Sequence, residues 1–215
     1  FEFTATAFDL ADRLQTPVFV LTDLDIGMNE RLCEPLEWDD NRRYDRGKVL
    51  SYQDLEAGKR FGRYLDLDGD GITYRTYPGT HPKRGSFFTR GTSRDRYARY
   101  TEEGSAYVDN MQRLLRKFET AKTLLPKPVI ERAAAPTRAG VIWFGSTGAA
   151  MAESLAELTK QGVHLDRMRV RAFPFQDEVG EFIAEHDHLF VVEQNRDAQL
   201  KMLLVNECGI DPSKL

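Results

Sequence analysis

Gly140-Val141-Ile142-Trp143-Phe144-Gly145-Ser146-Thr147-Gly148 is the stretch that decides the fold. Val141 to Phe144 is an unbroken apolar run, stopped by glycine and two hydroxyl side chains. A run of this kind suits a strand covered on both faces, as the strands of parallel sheets are. Ala149 through Leu158 then follows helical spacing and ends near Gly162. The alternation repeats downstream. Met168-Arg169-Val170-Arg171-Ala172-Phe173 predicts a second strand and Val179 through Ala184 a short helix. Leu189-Phe190-Val191-Val192 predicts a third strand, and Ala198 through Val205 a third helix. Strands separated by helices imply crossovers, so residues 129–215 are expected to form a parallel α/β domain.

Two further regions lie upstream. In residues 1–29, Phe8, Leu10, Ala11 and Leu14 recur at helical spacing. Pro17 breaks the pattern, and Val18-Phe19-Val20-Leu21 predicts a buried strand with Asp23 and Asp25 at its C-terminal end, the edge where open α/β sheets bind ligands. The chain opens at Phe1, directly on this pattern, and is read as the continuation of a domain begun earlier. Residues 30–128 are polar, aromatic and irregular. A segment of this length suits an active-site covering or an interface arm. Tyr107, Met111, Leu114, Leu115 and Phe118 predict one amphipathic helix near its end, and Pro126 and Pro128 a linker.

Composition sets the bounds. The chain has 215 residues, 41% hydrophobic and 30% charged, as in a folded soluble protein. A formal charge of −4 argues against a basic nucleic-acid-binding face. No apolar stretch is long enough to span a bilayer and no secretory leader is visible, so the expected compartment is the cytoplasm. Cys33 and Cys208 are too few for a disulfide framework or a cluster site and are expected to be buried apolar groups.

Several motifs offer chemistry. Asp66-Leu67-Asp68-Gly69-Asp70-Gly71 matches the front of a calcium loop, but its twelfth position is Tyr77 instead of a bidentate Glu, which favours a plain Asp/Gly turn. Gly145-Ser146-Thr147-Gly148 has the form of a phosphate-cradling turn or a capped strand-to-helix turn. His186-Asp187-His188 lacks a third ligand at metal-site spacing and is expected at the surface. Tyr97, Tyr100 and Tyr107 are expected to be packing residues. Glu193 through Leu200 lies at a strand end, as a site or as a helix cap from Asn195 or Asp197. Arg75, in a Pro/Gly-rich loop with Thr80 close behind, can present a bidentate donor to a carboxylate. Thr89-Arg90-Gly91-Thr92-Ser93-Arg94-Asp95 repeats that mixture, so both loops suit an anionic substrate.

Taken in order, these strings resemble the alpha subunits of 2-oxoacid:ferredoxin oxidoreductases, most nearly the 2-oxoglutarate type. Val18 through Asn29 resembles the end of the family's thiamine-pyrimidine-binding domain. Tyr74 through Thr80 is similar to its Arg-x-x-Pro-Gly-Thr loop. Gly91-Thr92-Ser93-Arg94-Asp95 stands in place of its Gly-x-x-His-Asp loop, with Arg94 where the family has His. Ala172 through Phe175 and Val191 through Leu200 resemble its transketolase C-terminal-like domain. The resemblance implies a subunit of a thiamine-diphosphate enzyme that decarboxylates a 2-oxoacid to an acyl-coenzyme A, or runs the reverse reductive carboxylation, passing electrons to ferredoxin. Arg75, Thr80 and Arg94 would bind the substrate. No catalytic or cofactor-binding residue can be named, because the family's substrate-contacting Thr and activating Glu lie upstream of the matched part. Thiamine diphosphate with Mg²⁺ and a [4Fe-4S] cluster would be held mainly by a beta subunit in an (alpha-beta)2 assembly, and this polypeptide alone would be inactive. The competing readings are a non-enzymatic interaction domain stabilised by a divalent ion at Asp66, Asp68 and Asp70, and a transketolase-like C-terminal half.

Overall fold

The computed structural model describes residues 1–30 and 32–215. They divide into two compact units: Phe1–Val20 with Glu37–Leu124, and Leu21–Leu36 with Leu125–Leu215. No described helix is long and apolar enough to cross a membrane.

The second unit is α/β. Its strands β1 (Val129–Glu131), β2 (Ala139–Phe144), β3 (Asp166–Val170) and β4 (His188–Val192) form one sheet in the order β1-β3-β2-β4. β2 is parallel to both β3 and β4, as expected, but β1 runs antiparallel to β3, so the sheet is mixed and not wholly parallel. β1 lies at the very start of the expected α/β domain, just after Pro126 and Pro128, where no strand was predicted. Residues 132–138 are too few for the crossover that a parallel strand needs, so the chain reverses and β1 pairs at the edge. Ile130, Met168, Ile142 and Val191 share a row across the sheet. That face packs against Val179, Phe182 and Ile183 of α6 (Asp177–Glu185) and Leu200 and Leu204 of α7 (Gln199–Cys208). The opposite face sets Val141 and Trp143 against Met151 and Leu155 of α5 (Thr147–Lys160). Gly140 makes room for this core: a Cβ there would lie 3.0 Å from the Phe182 ring.

The first unit has no named strand among its described residues and is held by α1 (Glu2–Leu14), α3 (Tyr52–Glu56), α4 (Gly104–Lys122) and the loops between them. α1 buries Ala5, Leu10 and Leu14 and turns Phe8 outward. Leu50, Leu55, Leu65 and Ile72 are buried.

Two expectations are corrected here. Val18–Leu21 is not a strand: no strand pairs with it among the described residues, and Phe19 and Leu21 are 82% and 89% exposed. An extended apolar segment becomes a strand only where neighbours take its backbone groups. The second correction concerns α4. Of its expected stripe, Tyr107, Leu115 and Phe118 are exposed and Met111 and Leu114 half-buried, while Arg113, Lys117 and Ala121 are buried. The cause lies in what covers the helix. Irregular loops present carbonyls that need donors, and a polar helix face supplies them. Asn110 Nδ2 donates to the Arg94 carbonyl at 2.6 Å, Arg113 Nη1 to that of Gly71 at 3.0 Å and Thr120 Oγ1 to that of Asp70 at 2.7 Å. Gly71, at φ +79, is pressed so close that a Cβ would sit 2.3 Å from the Lys117 backbone nitrogen.

Candidate functional site

Within the first unit, positive charge gathers around Tyr64. The guanidinium carbons of Arg94, Arg63 and Arg113 lie 5.4, 5.5 and 5.9 Å from its ring centroid. Arg94 donates through Nη1 to the Tyr64 hydroxyl at 3.1 Å and through Nη2 to the Gly91 carbonyl at 2.8 Å. Arg63 Nη1 donates to Thr73 Oγ1 at 3.0 Å. Burial alone would raise the Tyr64 pKa, but the Arg94 hydrogen bond and the Arg94 and Arg63 charges bring it below the ordinary value. Burial lowers the pKa of Arg63 and Arg113, and neighbouring guanidinium charge adds to the shift: Arg75 acts on Arg63, and Arg63 on Arg113. The cluster is a set of N–H donors around an aromatic phenol, suited to binding oxyanions.

The sequence-predicted residues stand at different distances from that task. Arg94 is part of the cluster. Arg75 borders it, fixed by backbone bonds to Lys48 and Leu50, with Nη2 on Asp12 Oδ1 at 3.1 Å and on the Arg46 carbonyl at 2.6 Å. Its buried Nε has no hydrogen-bond partner among the described residues. Thr80 works inside its own turn, donating to the Tyr77 carbonyl at 2.8 Å and accepting from the Tyr77 N–H at 3.1 Å. None of the three lines either of two surface cavities, one of about 450 Å³ walled by Glu2, Glu37, Trp38, Asp39 and Arg42 and one of about 260 Å³ beside Trp143, Leu155, Arg167 and Arg169. Sequence reasoning missed Arg63, Tyr64, Arg113 and Lys117. The available signal was the row of polar side chains at 110, 113, 117 and 120, which has helical spacing of its own.

The remaining motifs resolve into structural roles. Asp66 accepts from the Gly69 and Gly71 N–H groups, each at 2.9 Å. Asp68 and Asp70 close on Lys48 Nζ at 2.6 and 2.8 Å, so an ammonium stands where the calcium-loop reading put an ion. Burial lowers the Lys48 pKa, but the two carboxylates more than offset it and the net direction is upward.

In the second unit, the turn before α5 carries an internal anion, with Asp23 Oδ2 3.3 Å from the Ser146 N–H. The Asp23 pKa is lowered, first by the Ile26 N–H and then by Ser146. His186 is buried instead of exposed, its Nδ1 2.6 Å from the Phe182 carbonyl and its Nε2 3.2 Å from Asp166 Oδ2. Arg132 reaches the same carboxylate at 2.8 Å. Glu193 and Asn195 cap α7, accepting from the Leu200, Lys201 and Gln199 N–H groups, while Asp197 pairs with Arg196. Cys208 packs beside the core, but Cys33 is exposed, against expectation, as are Tyr100 and Tyr107.

No family model matches the chain. A solved structure of 2-oxoglutarate:ferredoxin oxidoreductase from Magnetococcus marinus, with 2-oxoglutarate, coenzyme A and succinyl-CoA bound, is similar over 94% of this chain, with a TM-score of 0.76 and 20% identity. The present chain covers 34% of that one. At this identity the likeness establishes a shared fold: the α/β architecture described above is that of a portion of a 2-oxoglutarate:ferredoxin oxidoreductase chain.

Proposed function

We propose that this chain is the C-terminal part of the alpha subunit of a thiamine-diphosphate-dependent 2-oxoacid:ferredoxin oxidoreductase, with 2-oxoglutarate as the favoured substrate. One concurrence carries the reading: the family-like strings, from Val18–Asn29 to Val191–Leu200, run in family order along the same span on which the fold likeness extends, 94% of the chain. In this reading Arg75 and Arg94 supply positive charge toward the 2-oxoacid, and Thr80 fixes the turn that follows Arg75. Thiamine diphosphate, when bound, supplies the electron sink for decarboxylation. Among the described residues no group of His, Cys, Asp and Glu is arranged to hold a metal ion, and the sequence has two cysteines. By the family resemblance both cofactors are held mainly by a beta subunit, in a cytoplasmic (alpha-beta)2 enzyme that passes electrons to ferredoxin and also takes coenzyme A.

The test is co-expression of the complete subunit with its beta subunit, followed by an assay of ferredoxin reduction dependent on 2-oxoglutarate and coenzyme A. Absence of both association and reduction would sink the reading. In the assembled enzyme Arg75→Ala is expected to weaken kcat/KM by ~2–4 kcal/mol, the scale of removing one partner of a buried charged contact. An unchanged kcat/KM removes Arg75 from the substrate site.

A further inference from the structure

The donor stripe of α4 contains one member without an acceptor. Asn110, Arg113 and Thr120 each reach a loop carbonyl. Lys117 lies on the same stripe, only 6% exposed; its ammonium stands 5.8 Å from the centroid of the Phe118 ring, and among the described residues no carboxylate or hydrogen-bond acceptor meets it. Its charged neighbours are Arg113 and Arg63, both cations. Arg113 is itself only 9% exposed, and its Nε is buried with no hydrogen-bond partner among the described residues. Asp66 acts on Arg113, but its oxygens are already occupied by the Gly69 and Gly71 N–H groups and Arg116. Buried cations without counter-charge are costly, and a fold that keeps several together needs something to offset them.

We propose that Arg63, Arg113 and Lys117 form a binding site for a small, multiply charged oxyanion, a carboxylate or a phosphate. The free donors are the Lys117 ammonium and the Arg113 Nε, with Arg63 adding charge. The ligand is small because the Lys117 and Arg113 residues are each about nine-tenths buried, which leaves no flat face for a macromolecular surface. An oxyanion would supply the acceptors that the loops give to Asn110 and Thr120 and withhold from Lys117. This site rests on the charges of the first unit alone and stands or falls separately from the family reading.

Thermal unfolding of the full chain tests it, at constant ionic strength in chloride, with inorganic phosphate or 2-oxoglutarate as the probe. A saturable rise in Tm of roughly 5 °C is expected at a hundredfold excess over Kd. A response to 2-oxoglutarate alone identifies a carboxylate site, and a response to phosphate alone a phosphate site. Lys117→Met is expected to unfold at a higher temperature than wild type in chloride and to lose the response to either anion. Lys117→Arg should keep the response. No rise with either probe overturns the proposal. So does a Lys117→Met protein that still responds, or one that is destabilised or fails to fold, since an unpaired ammonium should not be needed for folding.

Discussion

The two units reach a folded state by different means. In the α/β unit, side chains such as Ile142, Met168 and Phe182 are almost fully buried between a sheet and two helices. In the other unit a helix packs its charged face inward against loops. Hydrophobic burial scales with area and tolerates alternatives in detail. A network of donors and carbonyls depends on each partner being present. The first unit should therefore respond to charge, salt and ligands, and the second to volume.

The largest effect expected is on the side of volume. Phe182 touches the space that Gly140 leaves open and is 1% exposed. Phe182→Ala should lower stability by about 3–5 kcal/mol, read as a fall in the denaturant midpoint. A loss below ~1 kcal/mol would show that this core collapses freely around a void, and the contrast between the units would weaken.

Charge gives the next effect, and its sign is set by pH. Burial, then Arg113 and Arg63, bring the Lys117 pKa from 10.5 down to about 8. Below pH 8 the ammonium is charged in both the folded and unfolded states, and the folded state bears the full penalty, of order 3 kcal/mol. Between about pH 8 and 10.5 the unfolded chain binds more protons than the folded one, so this group makes stability rise with pH. Wild type should therefore gain on Lys117→Met across that window, in urea titrations without added oxyanion. A parallel pair of stability curves from pH 7 to 10.5 would show that Lys117 is solvated in the native state.

Legibility in the sequence follows the same division. The α/β unit could be read because its signals are periodic and local: apolar runs at 141–144 and 189–192 became β2 and β4, and α5, α6 and α7 fell within a few residues of their expected bounds. What failed there had no period to show, namely the three-residue strand β1. The candidate site was half legible. Arg94 was found through its loop, whereas Arg63 and Tyr64 carry no motif. Lys117 was hidden by the usual rule, because Tyr107, Leu115 and Phe118 mark a convincing apolar stripe on the wrong face of α4. Which face a helix buries depends on what lies against it, and here that is backbone carbonyl from sequence-distant loops. The apolar run at 18–21 failed for a related reason: its pattern encodes the need for neighbouring strands without supplying them.

Lys48 sharpens the comparison most narrowly, because it sets one lysine against another in the same unit. Its ammonium lies 2.6 Å from Asp68 and 2.8 Å from Asp70 and donates to the Ile72 carbonyl at 3.2 Å. Lys48→Met removes a cation that neutralises two neighbouring carboxylates, leaving them to repel each other at the turn that positions Gly71 against α4. A loss of about 1–2 kcal/mol is expected, moderated because the carboxylates are partly exposed, and it should shrink in molar salt. Lys117→Met, the identical substitution, is expected to stabilise. Opposite signs would locate the difference in the counter-charge, present for Lys48 and missing for Lys117. If both substitutions destabilise to the same extent, the lysines contribute through their aliphatic stems, and unit one is held by packing after all.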